Sequence, residues 1–225
     1  MIEKSDLKEL PLTMDSILGR SLRLGFLVSH RGTNMQAIID ACRDGRLRAI
    51  PAIAISNNSD CQALLRAKQQ HIPAYTINIK THSEPDDAIL QLFRENDVDL
   101  VVLAGYMKKI GVRLIKSYSG KIINIHPSLL PKYGGQGMYG SRVHEAVLAA
   151  GEKKTGVTVH LVDEEYDQGS ILTQQSVPVE EDDTTEILAA RVLATEHELL
   201  VETLRKILNG DIPALSIAQG VSNSN

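Results

Sequence analysis

Tryptophan is absent from this chain of 225 residues, and cysteine occurs only twice. Cys42 and Cys61 belong to no CxxC pair and have no histidine beside them, which argues against a disulfide framework and against a zinc site. No stretch reaches the roughly 18 apolar residues of a membrane span, and residues 1–20 lack the apolar core of a signal peptide. We therefore expect a cytoplasmic protein without a bound metal or a membrane partner.

Positive charge is also scarce. The chain has 24 Lys and Arg residues against 28 Asp and Glu residues, which gives a formal net charge of -4. Nucleic acids are bound largely through concentrated Lys and Arg, so they are not predicted partners. The hydrophobic share of 43% and the charged share of 23% are those of an ordinary globular protein. At this length, one large domain with a substantial core is expected.

Hydrophobic patterning from residue 22 onward predicts strands alternating with helices, which is typical of a parallel sheet. The predicted strands are 22–28, 50–56, 75–79, 99–104 and 121–126, and the helices between them are 34–44, 61–70 and 85–96. Beyond residue 126 the pattern changes to a helix at 141–150, two strands at 155–162 and 171–179 joined by an acidic turn, and a long helix at 184–208. Strands joined in this way favour an antiparallel extension of the sheet.

These elements predict a single α/β domain over residues 21–210. Its expected architecture is Rossmann-like, with a mostly parallel sheet, helices on both faces and an antiparallel C-terminal extension. Residues 1–20 are predicted to form a flexible or helical leader, and residues 211–225 a loose tail.

An amide and an imidazole stand two residues apart where a predicted strand ends, in Ile123-Asn124-Ile125-His126-Pro127. Because side chains alternate along a strand, Asn124 and His126 should point the same way. Pro127 should end the strand and deliver both side chains to the carboxyl edge of the sheet, where ligands bind. The alternative is that Asn124 caps a turn and His126 is a satisfied buried histidine.

A turn between the first strand and the first helix, Ser29 to Asn34, offers backbone N–H groups and a helix N-terminus to an anion. Gly32 would ease close approach, and Thr33 is a candidate cap. The turn matches neither GxGxxG nor a P-loop, so an ordinary capped turn is the alternative. Arg66 could grip two phosphate oxygens, unless it is a solvated helix arginine.

Two further loops are candidates for ligand contacts or chemistry. Gly105 to Ile110 combines an aromatic ring, a flexible methionine and backbone amides, which suits a flat heteroaromatic ligand. The acidic turn 163–169 places Asp167 in a bend that ends in glycine, and its other acids are interpreted as solvated. A carboxylate beside His126 would raise the pKa of the imidazole, while the imidazolium would lower the pKa of Asp167.

Taken together, these motifs resemble those of the folate-dependent formyltransferases over about residues 22–208. The resemblance rests on Asn124-Ile125-His126-Pro127-Ser128-Leu129-Leu130-Pro131, on Asp167-Gln168-Gly169 and on Gly105-Tyr106-Met107. It implies transfer of a formyl group from 10-formyltetrahydrofolate, a co-substrate, to the amine of glycinamide ribonucleotide in purine synthesis. Both partners are small molecules, and no metal is implied.

The same resemblance implies which residues act. The catalytic group would be Asn124, His126 and Asp167. The substrate phosphate would be held by Gly32, Thr33 and Asn34 with Arg66 nearby, and the ribose by Glu196, whose alternative is a helix-surface acid. Folate would be bound by Tyr106, Met107, Lys108, Lys109 and Ile110. The chain departs from the usual family pattern at His30-Arg31, which affects the phosphate contacts, and at Lys108-Lys109, which affects mainly backbone-mediated binding.

Three other functions are kept as alternatives. A formyltetrahydrofolate deformylase would use the same Asn, His and Asp geometry for hydrolysis, but that family usually carries an N-terminal regulatory domain. A methionyl-tRNA formyltransferase would need an RNA-binding C-terminal domain and a basic surface. A noncatalytic folate- or nucleotide-binding module would keep the crevice without the chemistry. The sequence also leaves the oligomeric state open, with a homodimer among the options.

Overall fold

A computed structural model describes residues 21–212, so the predicted leader and nearly all of the predicted tail lie outside the described residues. Its strands are β1 Leu22–Val28, β2 Ala49–Ser56, β3 Ala74–Thr76, β4 Leu100–Leu103, β5 Ile122–His126, β6 Lys154–Leu161 and β7 Ile171–Pro178. Its helices are α1 Thr33–Arg43, α2 Gln62–Gln69, α3 Pro85–Glu95, α4 Val112–Ser117, α5 Ser141–Ala149 and α6 Thr185–Asn209.

All seven of these strands form one sheet in the order β3-β2-β1-β4-β5-β6-β7. The five strands from β3 to β5 are parallel, β6 runs antiparallel to β5, and β7 runs antiparallel to β6. The chain moves outward from β1 to β3 and then returns to place β4 on the other side of β1. Such a reversal opens a crevice at the carboxyl ends of β1 and β4. The predicted mostly parallel sheet with an antiparallel extension is confirmed.

Alternating side chains divide the sheet between two hydrophobic cores. Phe26 of β1 belongs to the core under α1, α2, α5 and α6, whereas its neighbour Leu27 belongs to the core under α3 and α4. Helix α1 also packs against α6 within the first core. Burial of one stripe of each helix against an apolar sheet face is the main stabilising contribution in such layers. The predicted helices on both faces are confirmed.

Two elements differ from the sequence prediction. Strand β3 ends at Thr76 rather than at residue 79, because the Asn78 side chain accepts the backbone N–H groups of Lys80 and Thr81 and so stabilises a turn. Helix α4 was not predicted, since its 6 residues are too few to show a clear helical period. Leu114 and Ile115 bury it against the core.

None of the helices within residues 21–212 combines the length and the apolar character that crossing a membrane requires.

Candidate active site

A cavity of about 680 Å³ opens at the carboxyl edge of the sheet. Its lining comes from the end of β5, the loop 105–110 after β4, the glycine-rich loop 135–142, the acidic turn 162–167 and one side of α6. The volume lies within the range of small-molecule sites. Among residues 21–212 there is no cluster of three or more His, Cys, Asp or Glu side chains that could hold a metal ion.

Asn124 and His126 lie on the same face of β5 and both line the cavity. The antiparallel register sets His160 of β6 opposite Asn124. Asn124 Nδ2 donates to His160 Nε2 at 3.0 Å, and His160 Nδ1 donates to the Leu161 carbonyl oxygen at 2.8 Å. The second bond selects the tautomer in which Nε2 is the acceptor, so the imidazole fixes how the Asn124 amide is turned.

Asp167 completes the group from the turn between β6 and β7, where its φ of 56° lies in the left-handed region. Oδ2 accepts the Gly135 N–H at 2.9 Å and lies 3.6 Å from His126 Nδ1. Oδ1 lies 3.5 Å from Asn124 Nδ2. The structure thus brings the three predicted catalytic side chains together around one point. Left-handed backbone at a non-glycine residue is uncommon and tends to occur at functional sites.

Two glycines allow the loops to approach Asp167. A Cβ at Gly134 would collide with the Leu130 side chain and come within 3.3 Å of the Asp167 Cβ. A Cβ at Gly169 would collide with the Leu161 carbonyl oxygen. A side chain at position 169 would therefore displace the turn that carries the carboxylate, and one at position 134 would crowd the Asp167 Cβ.

His126 is buried, and this burial decides the net direction of its pKa shift. Burial lowers the pKa of the imidazole, and this effect outweighs the attraction of Asp167 and the hydrogen bond to the Tyr133 carbonyl oxygen, which both raise it. The expected upward effect of Asp167 on the pKa of His126 is thus present, but desolvation of the charged ring exceeds the gain from one carboxylate, so the pKa lies below its ordinary value. The neutral ring donates Nε2–H to Tyr133 O at 2.7 Å, leaving the Nδ1 lone pair toward Asp167.

The carboxyl group of Asp167 shifts in the expected direction. Burial is the largest single influence and raises its pKa, but His160, His126 and the Gly135 N–H together lower it below the ordinary value. Asp167 is therefore ionised at neutral pH. Neither alternative for the β5 pair describes the structure fully: Asn124 caps no turn, and the buried His126 turns one nitrogen toward a carboxylate.

The turn before α1 is anchored by α2. Ala63 N–H donates to the His30 carbonyl oxygen at 3.1 Å, and Arg66 Nε donates to the Arg31 carbonyl oxygen at 2.9 Å. Arg66 is therefore not a freely solvated arginine, and it lies outside the cavity lining. Its part in phosphate binding stays a prediction.

Helix α1 begins at Thr33 with Gly32 at the N-cap and without a side-chain cap. The expectation that Thr33 caps the helix is wrong, because Thr33 is already the first helical residue. Gly32 and Thr33 do not line the cavity, whereas Asn34 does. An uncapped helix N-terminus leaves N–H groups that an anion can accept.

Glu196 is buried on α6 and lines the cavity, so its interpretation as a helix-surface acid is wrong. Burial raises the pKa of this carboxyl group to about 7, although the hydrogen bond from Asn34 opposes the increase. Asn34 Nδ2 donates to Glu196 Oε2 at 2.8 Å, while the buried Asn34 Oδ1 has no hydrogen-bond partner in the described protein. A buried acceptor without a partner can be satisfied by a ligand that brings a donor.

The five predicted folate residues, Tyr106, Met107, Lys108, Lys109 and Ile110, all line the cavity. Lys109 Nζ lies 5.3 Å from the centre of the Tyr166 ring, so the loop meets the acidic turn through a cation–π contact. The Met107 N–H is not free, because it donates to Ser29 Oγ at 2.7 Å.

Two histidines in the cavity lining were missed in the sequence. His160 had a usable signal, since Thr158 and His160 alternate with buried Val157, Val159 and Leu161 along β6. His144 of α5 is buried, its Nδ1 has no partner within the described residues, and burial lowers the pKa of its ring. No local pattern marks His144, because the position of α5 against the cavity is a tertiary feature.

The reversal of the sheet order and the amide, imidazole and carboxylate at its edge define an α/β protein with a small-molecule site at the carboxyl ends of its parallel strands. The model of the formyl transferase family matches residues 22–204. The chain therefore belongs to the formyl transferase family.

Named relatives agree with this membership. The chain is 42% identical over 192 residues to a chloroplastic phosphoribosylglycinamide formyltransferase of Vigna unguiculata, covering 84% of this chain but only 61% of the relative. It is 42% identical over 180 residues to the phosphoribosylglycinamide formyltransferase of Haemophilus influenzae, covering 79% of this chain and 82% of the relative. The chain thus spans about three fifths of the plant relative's length.

Solved structures show the same fold. Glycinamide ribonucleotide transformylase 1 of Symbiobacterium toebii superposes with a TM-score of 0.80 at 37% identity, over 85% of this chain and 90% of that one. A formyltetrahydrofolate deformylase of Pseudomonas syringae superposes with a TM-score of 0.75 at 27% identity, over 85% of this chain and 62% of that one. The transformylase is thus more similar in sequence and is covered more fully.

Proposed function

We propose that this protein transfers a formyl group from 10-formyltetrahydrofolate to the amine of glycinamide ribonucleotide in purine synthesis. The observation that carries this proposal is the meeting of Asn124, His126 and Asp167 in one cavity, since an amide, an imidazole and a carboxylate are the groups that formyl transfer needs. The names of the relatives from Haemophilus influenzae and Symbiobacterium toebii support it.

The cavity lining offers groups that suit both substrates. The loop 105–110 offers apolar side chains and backbone groups for the pterin ring of the formyl donor. On another part of the lining, Asn34 and Glu196 offer a buried acceptor and a carboxyl group to the ribose hydroxyls. The uncapped start of α1 next to Asn34 is the proposed phosphate position, with Gly32 and Thr33 in its backbone.

Asn124 has the oxyanion-stabilising role in this mechanism. As the substrate amine attacks the formyl carbon, negative charge develops on the formyl oxygen. One Asn124 N–H is held by His160, whereas the other makes only a long contact of 3.5 Å to Asp167. We assign this second, loosely held N–H as the donor to the formyl oxygen. A donor of this kind contributes roughly 3 to 4 kcal/mol in other acyl transfers.

His126 and Asp167 carry out the proton transfer from the attacking amine to the leaving nitrogen. The neutral imidazole has its Nδ1 lone pair available, because Nε2–H is bound to the Tyr133 carbonyl oxygen. Nδ1 accepts the proton that the attacking amine loses, directly or through water, and the resulting imidazolium is stabilised by Asp167 at 3.6 Å. The proton then passes to the leaving folate nitrogen as the carbon–nitrogen bond breaks. The protonated form of His126 that stabilises the oxyanion thus arises during the reaction.

The proposal is tested by following the release of tetrahydrofolate by absorbance, with and without glycinamide ribonucleotide. Release that depends on the ribonucleotide and yields its formylated product supports the transferase. Equal release without the ribonucleotide supports the deformylase alternative. The similarity to the Pseudomonas syringae structure is the reason for testing this alternative. Folate binding without any release supports a noncatalytic module.

Two narrower statements belong to the same proposal. We propose a cytoplasmic location. Because a relative of the chain is chloroplastic, fractionation of the source cells is the test of this location. We also propose a homodimer, and sedimentation equilibrium of the full chain decides between one and two copies.

A further inference from the structure

Ser29 lies directly after β1, at the point where the sheet order reverses, and is fully buried. Every hydrogen-bonding group of this residue is used. Its N–H donates to the Gly105 carbonyl oxygen at 3.1 Å, and its carbonyl oxygen accepts from Asn58 Nδ2 at 2.7 Å. Its hydroxyl accepts the Met107 N–H at 2.7 Å and donates to Asn57 Oδ1 at 2.5 Å.

We infer that Ser29 is a positioning residue that holds the folate loop 105–110 in register with the turn that leads into the proposed phosphate site. The inference rests on the proposed function and deepens it, because it assigns the support of the formyl-donor site to one hydroxyl group. Ser29 does not line the main cavity, so it acts through the backbone of Met107.

The hydroxyl can do this because its own direction is fixed. A hydroxyl has one donor, and here it is committed to Asn57, so the lone pairs face the Met107 N–H. Asn57 is itself anchored, since its carbonyl oxygen accepts Asn78 Nδ2 at 2.9 Å and its Nδ2 donates to Asn58 Oδ1 at 3.1 Å. The side chains that follow β2 and β3 therefore hold the hydroxyl, and the hydroxyl holds the loop that follows β4.

Loss of this hydroxyl would affect the two substrate sites unequally. The Met107 N–H would lose its acceptor, and an amide without a partner reorients toward water or another oxygen. Gly105, with a φ of 75°, offers little resistance to such a rotation of the loop. The turn 30–34 would keep its own anchors, the Ala63 N–H on His30 and the Arg66 side chain on Arg31.

Pterin recognition is constrained by the same contact. Because the Met107 N–H is committed to Ser29, the hydrogen bonds to the ring must come from other backbone groups of the loop 105–110. The formyl-donor site therefore depends on the direction of the whole loop rather than on the Met107 amide.

Ser56 provides a matched control at the end of the adjacent strand β2. It is also fully buried, and its hydroxyl oxygen also accepts a backbone N–H, that of Asn58 at 3.0 Å, together with Cys61 Sγ at 3.2 Å. Its hydroxyl bonds Asn58 and Cys61, and its carbonyl oxygen accepts the Ile77 N–H, so these hydrogen bonds do not reach the loop 105–110. Ser56→Ala therefore removes a similar buried hydroxyl and leaves both hydrogen bonds of the Ser29 hydroxyl in place, because Ser56 reaches Ser29 only through Asn58, on the Ser29 carbonyl oxygen and on Asn57 Nδ2.

The test compares Ser29→Ala with Ser56→Ala in the full chain, by melting temperature and by steady-state kinetics with both substrates varied. For Ser29→Ala we expect the KM for 10-formyltetrahydrofolate to rise about tenfold or more, the loss that corresponds to about 1.4 kcal/mol. The KM for glycinamide ribonucleotide and kcat should change less than about threefold. Ser56→Ala should lose comparable thermal stability with neither KM changed.

Two further variants protect the test against a fold defect. Ser29→Cys keeps a weak acceptor and should give a KM for the formyl donor between those of the parent and Ser29→Ala. Asn57→Ala removes the partner that directs the hydroxyl, and it should raise the same KM even if Ser29→Ala does not fold.

An unchanged KM for the formyl donor in Ser29→Ala, or an equal increase in Ser56→Ala, would overturn the inference while leaving the proposed function intact. A parent protein without transfer to glycinamide ribonucleotide would overturn the proposed function, and the inference with it. The two failures are therefore distinguishable in the same set of assays.

Discussion

Asn124 and His160 face each other across the antiparallel pair of β5 and β6, with Nδ2 of the amide 3.0 Å from Nε2 of the imidazole. The imidazole is held in the accepting tautomer by its bond to the Leu161 carbonyl oxygen. One amide hydrogen is therefore committed to His160, and the other is left toward Asp167 and the cavity. The position of the amide in the proposed chemistry follows from this pairing.

Replacement of the amide tests its role in the chemical step. Asn124→Ala should lower kcat by roughly 10²- to 10³-fold, because the contact to the oxygen forms mainly in the transition state. The KM of both substrates should change little. Asn96→Ala is a suitable control, since that side chain donates to the Leu92 carbonyl oxygen and does not line the cavity. Near-parental turnover by folded Asn124→Ala would remove the amide from the mechanism.

The charge of Asp167 should be visible in the pH dependence of activity. Asp167 raises the pKa of His126, although burial keeps the net shift downward. Asp167→Asn removes the charge, so the pKa of His126 should fall further and the acid limb of kcat/KM should move to lower pH. The rate should also drop strongly, because the imidazolium loses its counter-charge.

The measurement is kcat/KM of the parent and of Asp167→Asn across a series of pH values. The variant should stay folded, since the asparagine oxygen can still accept the Gly135 N–H. An acid limb that stays in place or moves to higher pH would contradict the assigned contact between the carboxylate and the ring.

Glu196 should make stability depend on pH. Its pKa in the folded chain is raised to about 7, above the ordinary value of 4.5, so the folded state binds more protons than the unfolded state between these values. This contribution is fully present below about pH 4.5 and is lost as pH rises through 7, by on the order of 3 kcal/mol. Glu196→Gln should lack this decline.

Urea unfolding of the parent and Glu196→Gln at pH 5 and pH 8 measures the difference. The parent should lose stability relative to the variant on going to pH 8. A parallel pH response of the two proteins would show that burial does not raise the pKa of Glu196 above its value in the unfolded chain.

The left-handed turn before α1 should depend on Gly32. Its φ is 68°, and a Cβ there would lie 2.5 Å from the Ala63 Cβ. Gly32→Ala should therefore shift the turn, raise the KM for glycinamide ribonucleotide and lower the melting temperature. Gly45→Ala shares a positive φ, 80°, but has open space around its Cβ, so it separates backbone strain from the contact with α2.

Steady-state kinetics and melting curves of the two glycine variants decide this point. Both should lose some stability, and only Gly32→Ala should weaken substrate binding. Equal kinetics in the two variants would mean that the position of the turn is unimportant for the phosphate.

Local periodicity accounts for the parts of the fold that could be predicted. The apolar residues of β1 and the helical stripe of α6 bury against neighbours wherever those lie, so their pattern shows in the sequence. Alternation likewise placed Asn124 and His126 on one face of β5. Short elements such as β3 and α4 carry too few residues for a period, and their bounds or existence were missed.

Only the tertiary structure decided the protonation and the partners of the site. The sign of the pKa shift of His126 depends on burial by segments far along the chain, and so does the raised pKa of Glu196. The bond from Arg66 to Arg31 and the commitment of the Met107 amide to Ser29 are likewise long-range contacts. The sequence by itself determined the alternating elements and the types of the reacting groups, because these depend on near neighbours. Distances, desolvation and hydrogen-bond partners depend on how distant segments pack, and the fold alone decided them.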